Sequence, residues 1–287
     1  MQSDHFALAR CAEGNAAMCT IVNIEGSFSR RLGAQLAVGW HGDMVGSLAD
    51  GCLEQQLRRE AERARTGLGA FVMRFGKNSL NIDFRLPCGS GIDILIDTAP
   101  DFEAGRQVLR QLTQRRPATL DLNLQSHPSF LQRRAYIPQP RLVVLGTGRE
   151  VTALVDFAQG YGVDVECRFP IGDAGPGMAS LSLGHAPEDI SIDPWTAIVI
   201  LFHDHEWERM LLPWALRTDA FFVGVQGGQA VREEREAMLQ ANGLGSSADS
   251  RFHSPVGLIP RTREPDMLAL SIFSHVMAEY DSLHPHR

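Results

Sequence analysis

Two cysteines in this chain each touch a glycine, and each lies where strand-like sequence breaks. One closes the stretch Gly46-Ser47-Leu48-Ala49-Asp50-Gly51-Cys52-Leu53-Glu54, and the other falls in Leu86-Pro87-Cys88-Gly89-Ser90-Gly91. Upstream runs Gly26-Ser27-Phe28-Ser29-Arg30-Arg31-Leu32-Gly33-Ala34-Gln35. Glycine admits positive φ and lets another group come close. A thiol on such a turn can reach a ligand, and its thiolate gains from nearby N–H groups or arginines. Soft thiolate suits both metal coordination and persulfide transfer. Arg30 and Arg31 beside the glycine turn offer guanidinium forks to an anion. Taken singly, either cysteine reads first as a small buried apolar residue, and it is the pair in its wider frame that is more specific.

In order and spacing these segments resemble the xanthine dehydrogenase accessory factor family, also called the XdhC/CoxI family. Its members carry Gly-Ser-x-Pro-Arg-x-x-Gly-Ala, a Gly-rich turn ending in Gly-Cys-x-Glu, and a later Cys-Gly-Gly-like turn. Here Ser29 replaces the proline, Ala49-Asp50 replace two glycines, and Ser90 replaces a glycine. The resemblance implies a cytoplasmic helper of molybdenum hydroxylases of the xanthine dehydrogenase or CO dehydrogenase type. Such a helper binds molybdenum cofactor (molybdopterin), supports its sulfuration and hands it to the apo-enzyme. On that basis Arg30 is expected to hold the anionic phosphate. Cys52 or Cys88 is expected to contact molybdenum or to relay sulfur from a cysteine desulfurase.

The second half carries a different signature. Gly146-Thr147-Gly148-Arg149-Glu150-Val151 follows a strand-like run and opens a helix-like one, the context of a Rossmann phosphate turn. The helix N-terminus there presents unpaired N–H groups to an anion. Val151 stands where the third glycine belongs, and Cys167-Arg168 stand where a ribose-binding carboxylate is expected, just after Glu166. Three occupants of Gly146 and Gly148 remain open: a pterin phosphate, NAD(P) with Arg168 on the extra phosphate, or nothing.

His203-Asp204-His205 follows the apolar run Ala197 to Phe202, where strand ends face a ligand crevice. His203 is expected to line that crevice and Asp204 to N-cap the next helix. If the strand continued, the two imidazoles would share a face and could hold a metal. Phe252-His253-Ser254-Pro255-Val256-Gly257-Leu258 matches the family's His-x-Pro-x-Gly-Leu, whereas Gly227-Gly228-Gln229, Pro260-Arg261-Thr262 and Met267 depart from its pattern.

The elements that must position these residues fall into two groups, 1–137 and 138–287. In the first, helices are expected over 5–17, 52–65 and 101–116. Strands are expected over 18–24, 35–38, 44–48, 70–75, 92–96 and 118–124. This is a small mixed α+β domain. Tyr136-Ile137-Pro138-Gln139-Pro140 then stiffens the chain. Beyond it, apolar runs at 142–145, 163–167, 197–202 and 220–225 alternate with helical segments at 151–159, 206–217, 231–242 and 266–280. Such alternation implies a parallel sheet covered on both faces, a Rossmann-like doubly wound domain.

Composition sets the outer limits. The 287 residues include 44% hydrophobic and 21% charged, as in a globular protein. The net charge of −7 argues against wholesale nucleic-acid binding. No apolar run is long enough for a membrane span. The start, Met1-Gln2-Ser3-Asp4-His5, lacks signal-peptide character, so a cytoplasmic location is expected. Five cysteines without zinc or disulfide spacing read as reduced thiols. A homodimer is the default oligomer. No nucleophile elbow, Walker loop or paired-carboxylate site is present, which favours a binding and delivery protein over a turnover enzyme. The rival readings are an NAD(P)-dependent oxidoreductase and a scaffold that binds no ligand.

Overall fold

The computed structural model describes residues 3–286 except 50, 68, 80–88, 125–126, 173–178, 228–230 and 246–248, and omits the side chain of Arg232. Two compact units emerge. One holds residues 1–138 together with 284–287, and the other holds 139–283.

The first unit is built on a five-stranded sheet. Its strands are β1 (Ala16–Glu25), β2 (Gln35–Gly39), β3 (Met44–Gly46), β4 (Ala70–Gly76) and β5 (Gly91–Asp97), in the order β3-β2-β1-β5-β4. All four pairings are antiparallel. Side chains alternate across a strand, so β1 sends Ala17, Cys19 and Ile21 to one core and Met18 to another. Helix α2 (Gly51–Ala64) buries Leu53, Leu57 and Ala61 against the first of these faces. Helices α1 (Ser3–Ala12) and α3 (Phe102–Thr113) cover the other, with Ala7, Cys11 and Phe102 packed on Met18 and Ala37. Helix α1 stops at Ala12, short of the expected residue 17, because Gly14 and Asn15 take positive φ and Ala16 is already paired in β1. A two-stranded ribbon, β6 (Ala118–Asp121) with β7 (Arg133–Tyr136), completes the unit.

The second unit is an all-parallel sheet of β8 (Arg141–Gly146), β9 (Asp164–Pro170), β10 (Ala179–Leu181), β11 (Thr196–Leu201), β12 (Phe222–Val225) and β13 (Phe252–His253). Their order, β10-β9-β8-β11-β12-β13, is that of a doubly wound dinucleotide-binding sheet, whose order reverses beside the first strand. Helices α4 (Arg149–Tyr161) and α7 (Pro265–Ser282) cover one face, and α5 (Glu208–Arg217) and α6 (Arg232–Ala241) the other. β8 and β11 are buried almost throughout, as continuous apolar runs in such a sheet require. The chain is thus a mixed α/β protein: an antiparallel α+β domain followed by a Rossmann-like one. Among the described residues, no helix is long and apolar enough to cross a membrane.

Candidate functional site

Antiparallel pairing brings the first half's motifs to one end of its sheet. β1 ends at Glu25, which pairs with Gly91 at the start of β5; Gly91 in turn pairs with Gly76 at the end of β4. β2 starts and β3 ends at the same end, with Leu36 opposite Gly46. The connections 26–34, 47–50 and 77–90 therefore leave from one side, and they carry Arg30, the approach to Cys52, and Cys88. Cys88 itself, with Leu86, Pro87 and Asp50, lies outside the described residues. Gly89 and Ser90 are described, and a side chain at Gly26 would meet Ser90 Cβ at 3.3 Å.

Hydrogen bonds join the first two connections. Arg30 donates through Nη2 to Ser47 Oγ at 3.1 Å. Ser47 Oγ in turn donates to the Ala49 carbonyl at 3.4 Å. Glu54 Oε1 accepts from the N–H groups of Leu48 and Ala49, at 3.0 and 3.4 Å. Cys52 stands two residues before that glutamate, in the first turn of α2, and is exposed. Arg30 is also exposed, and among the described residues its guanidinium meets no carboxylate.

The remaining described thiols contrast with Cys52. Burial pushes Cys11 and Cys167 up to about 12 and raises Cys19 as well. Such groups stay protonated and inert at neutral pH.

A buried polar core holds the Arg30 loop from beneath. Arg134, shut off from solvent, donates through Nε to the Gly33 carbonyl at 2.6 Å and through Nη2 to Asp4 Oδ2 at 2.8 Å. Asp4 Oδ1 accepts from the Gln35 N–H at 3.1 Å, and Tyr136 donates to Gln35 Oε1 at 2.5 Å. A side chain at Gly33 would meet Arg134 Cδ at 2.8 Å, so the motif's glycine makes room for this arginine.

In the second unit β8 runs into the expected glycine turn. A Cβ on Gly146 would lie 2.3 Å from the Leu201 carbonyl oxygen, so only glycine lets β8 end this close to β11. Gly148 has φ +105 as the residue preceding α4 and caps it without a side chain. Beside it stands a carboxylate that no sequence motif singles out. Glu150 is buried, its Oε2 lies 2.9 Å from where a Gly148 Cβ would be, and its Oε1 is 3.1 Å from His203 Nε2.

His203 and His205 do not form the metal pair that a continuing strand would allow. β11 ends at Leu201, so the two are not on a strand. His203 faces Glu150, whereas His205 Nδ1 lies 3.0 Å from Glu208 Oε1. Asp204 accepts from the Glu206 N–H at 3.0 Å; the residue that caps α5 is Trp207. Arg168 is held between Glu166 at 2.7 Å and Asp189 at 2.8 Å, which engages the guanidinium an NADP phosphate would need.

Farther along the strand ends, a cleft of 630 Å³ is lined by Gln226, Gly227, Pro255, Gly257, Leu258 and Arg261 among others. Its wall rests on Arg235, which is buried and binds both oxygens of buried Glu208 at 2.6 Å, the Gln226 carbonyl at 2.5 Å and Ser254 Oγ at 3.0 Å. Gly228 and Gln229 lie outside the described residues. His253, His275 and Glu279 bring donor atoms within 4.8 Å of one another. Burial keeps both imidazoles neutral, with His253 lowered to about 4. His275 Nδ1, however, accepts the Gly257 N–H at 3.1 Å, so its neutral ring carries the proton on Nε2 and has no lone pair left for a cation. The cluster reads as a brace for the Gly257 turn.

Sequence comparison adds to this geometry. The profile of the XdhC and CoxI family matches residues 9–76, and that of the XdhC Rossmann domain matches residues 142–276. The molybdenum cofactor insertion chaperone PaoD of Escherichia coli is 28% identical, the match covering 94% of this chain and 86% of PaoD. A probable xanthine dehydrogenase subunit of Bacillus subtilis is 23% identical over 91% of this chain and 92% of that one. A crystal structure described as a xanthine dehydrogenase from Bacillus halodurans superposes with a TM-score of 0.74 at 20% identity, covering 99% of this chain and 97% of that one. That likeness concerns the fold. With both of its domain types matched in order along the sequence, the chain belongs to the XdhC and CoxI family.

Proposed function

We propose that this protein binds molybdenum cofactor as cargo and delivers it to an apo-molybdoenzyme during maturation. The observation that carries the reading is the placement of Cys52 and Arg30. An exposed guanidinium without a carboxylate partner among the described residues lies on one connection at one end of the sheet, hydrogen-bonded to the connection that leads into α2, and the exposed thiol stands in the first turn of that helix. The third connection at that end carries Cys88 in the sequence. A relative named as a molybdenum cofactor insertion chaperone supports the same reading.

In this proposal Arg30 takes anionic charge on the cargo, and Cys52 or Cys88 contacts molybdenum or carries sulfur for its sulfuration. Gly146, Gly148 and His203 contribute ligand contacts in the second unit. The client is a molybdenum hydroxylase of the xanthine dehydrogenase or CO dehydrogenase type, a cysteine desulfurase supplies the sulfur, and the work is done in the cytoplasm. The oxidoreductase alternative is weakened by the double ion pairing of Arg168.

The test is anaerobic titration with purified molybdenum cofactor, alongside NADPH. Tight cofactor binding is expected, weakened at least about tenfold in a Cys52→Ala, Cys88→Ala double variant. Unchanged binding in that variant removes the thiols from the site. NADPH binding without cofactor binding removes the maturation role.

A further inference from the structure

The Rossmann turn carries its own anion. Glu150 is the second residue of α4, and its residue surface is only 7% exposed. Gly148 leaves the space its carboxylate fills, with Oε2 at 2.9 Å and Oε1 at 3.3 Å from the missing Cβ. No side chain caps the helix. Among the described residues Oε1 accepts no hydrogen bond, although it is buried. His203 Nε2 approaches it at 3.1 Å without hydrogen-bonding alignment. The His203 side chain is 75% exposed, so it covers the carboxylate from the solvent side with freedom to rotate away.

Two consequences follow from elementary electrostatics. A carboxylate beside the first N–H groups of α4 already satisfies the positive end of the helix dipole. A diphosphate bound at the same N–H groups would sit within a few ångströms of that like charge in a poorly solvated place, where repulsion is strong. A buried carboxylate oxygen without a donor instead calls for one. Two carboxylate oxygens match a pair of parallel N–H donors, as they match a guanidinium fork.

We propose that Glu150 is the specificity-determining residue of this turn: it rejects diphosphate and accepts the paired N–H donors of a 2-amino-4-oxopyrimidine edge, the edge shared by pterin and guanine. The rejection of diphosphate stands on the geometry alone; the choice of a pterin as occupant rests on the cofactor-delivery reading.

Titration calorimetry of the full chain tests this with free pterin, guanosine, inorganic pyrophosphate and lumazine, which has a carbonyl in place of the 2-amino group. The unmodified protein is expected to bind pterin at least tenfold more tightly than lumazine, and an Arg30→Ala chain, which lacks the exposed guanidinium of the first unit's candidate site, to show no heat with pyrophosphate. Glu150→Gln, an isosteric change, is expected to erase the pterin preference and to gain pyrophosphate binding. The tighter of pterin and guanosine identifies the source of the edge. Equal affinity for pterin and lumazine, or pyrophosphate binding that persists in an Arg30→Ala chain with Glu150 intact, overturns the proposal even if the Glu150 variant fails to fold. Pterin selection without binding of molybdenum cofactor would keep this inference and remove the delivery role. Cofactor binding indifferent to Glu150→Gln would do the opposite.

Discussion

Arg235 lays two guanidinium nitrogens on the two carboxylate oxygens of Glu208, 2.6 Å each, with both side chains almost wholly shut away from water. The same guanidinium reaches the Gln226 carbonyl and Ser254, so one buried ion pair joins α5, α6 and two segments of the cleft wall. Removing one partner leaves an uncompensated buried charge, which costs about 3–5 kcal/mol. Glu208→Gln and Arg235→Met are each expected to lower stability by that order, and the double change by less than the sum. Denaturant unfolding of the four proteins measures the coupling.

Cys52 is expected to be the first alkylated of Cys11, Cys19, Cys52 and Cys167. It is exposed, whereas Cys11 and Cys19 are buried, and burial raises all three other thiols. Peptide mass mapping after a short pulse of iodoacetamide at neutral pH reads this order. Labelling of Cys11 or Cys19 ahead of Cys52 would contradict the placement of α2's first turn.

Gly146→Ala is expected to destabilise the second unit by more than about 1 kcal/mol, the range seen where a new Cβ cannot be accommodated. Its Cβ would press on the Leu201 carbonyl at 2.3 Å, and backbone cannot rotate aside as a side chain can. Gly51→Ala, with nothing within 4 Å, is the matched control and is expected to be near neutral. Their melting temperatures decide.

Acid should weaken the first unit over a defined window. Burial lowers His5 to about 4 and His284 to about 3, and His286 falls to about 4 while its Nε2 accepts the Ala135 N–H at 2.8 Å. These rings are neutral when folded and take up protons near 6.5 when unfolded. The unfolded chain therefore binds more protons between those values, so stability is full above about pH 6.5 and falls as pH drops toward 4. His5→Asn is expected to flatten the decline in melting temperature across that window; an unchanged slope would remove His5 as a contributor.

Much of the second unit is legible in sequence because its strands are buried on both faces. Leu142–Leu145 and Ala197–Leu201 are continuous apolar runs, and a glycine turn punctuates the first. The short strands β7, β10 and β13 are not legible: two to four residues give no periodicity, and their pairing is set by distant partners. The candidate site residues Arg30 and Cys52 stand out by type and by neighbouring glycines. Glu150 does not, since an acidic residue at a helix start reads as ordinary dipole compensation. Nor do Glu208 with Arg235, or Asp4 with Arg134, because pairs separated by 27 and 130 positions leave no local trace.

The antiparallel sheet of the first unit also has an opposite end, and it carries none of the motif residues. The β2–β3 hairpin turns there through Trp40, His41, Gly42 and Asp43, anchored by Arg10 Nε on Asp43 Oδ2 at 2.5 Å. His41 and Gly42 are exposed, and a Cβ on Gly42 meets nothing nearer than 4.0 Å. A fluorophore or affinity tag spliced between them would sit at the far end of the sheet from Arg30 and Cys52, giving a handle by which the proposed cargo uptake and handover can be watched in real time on otherwise native protein.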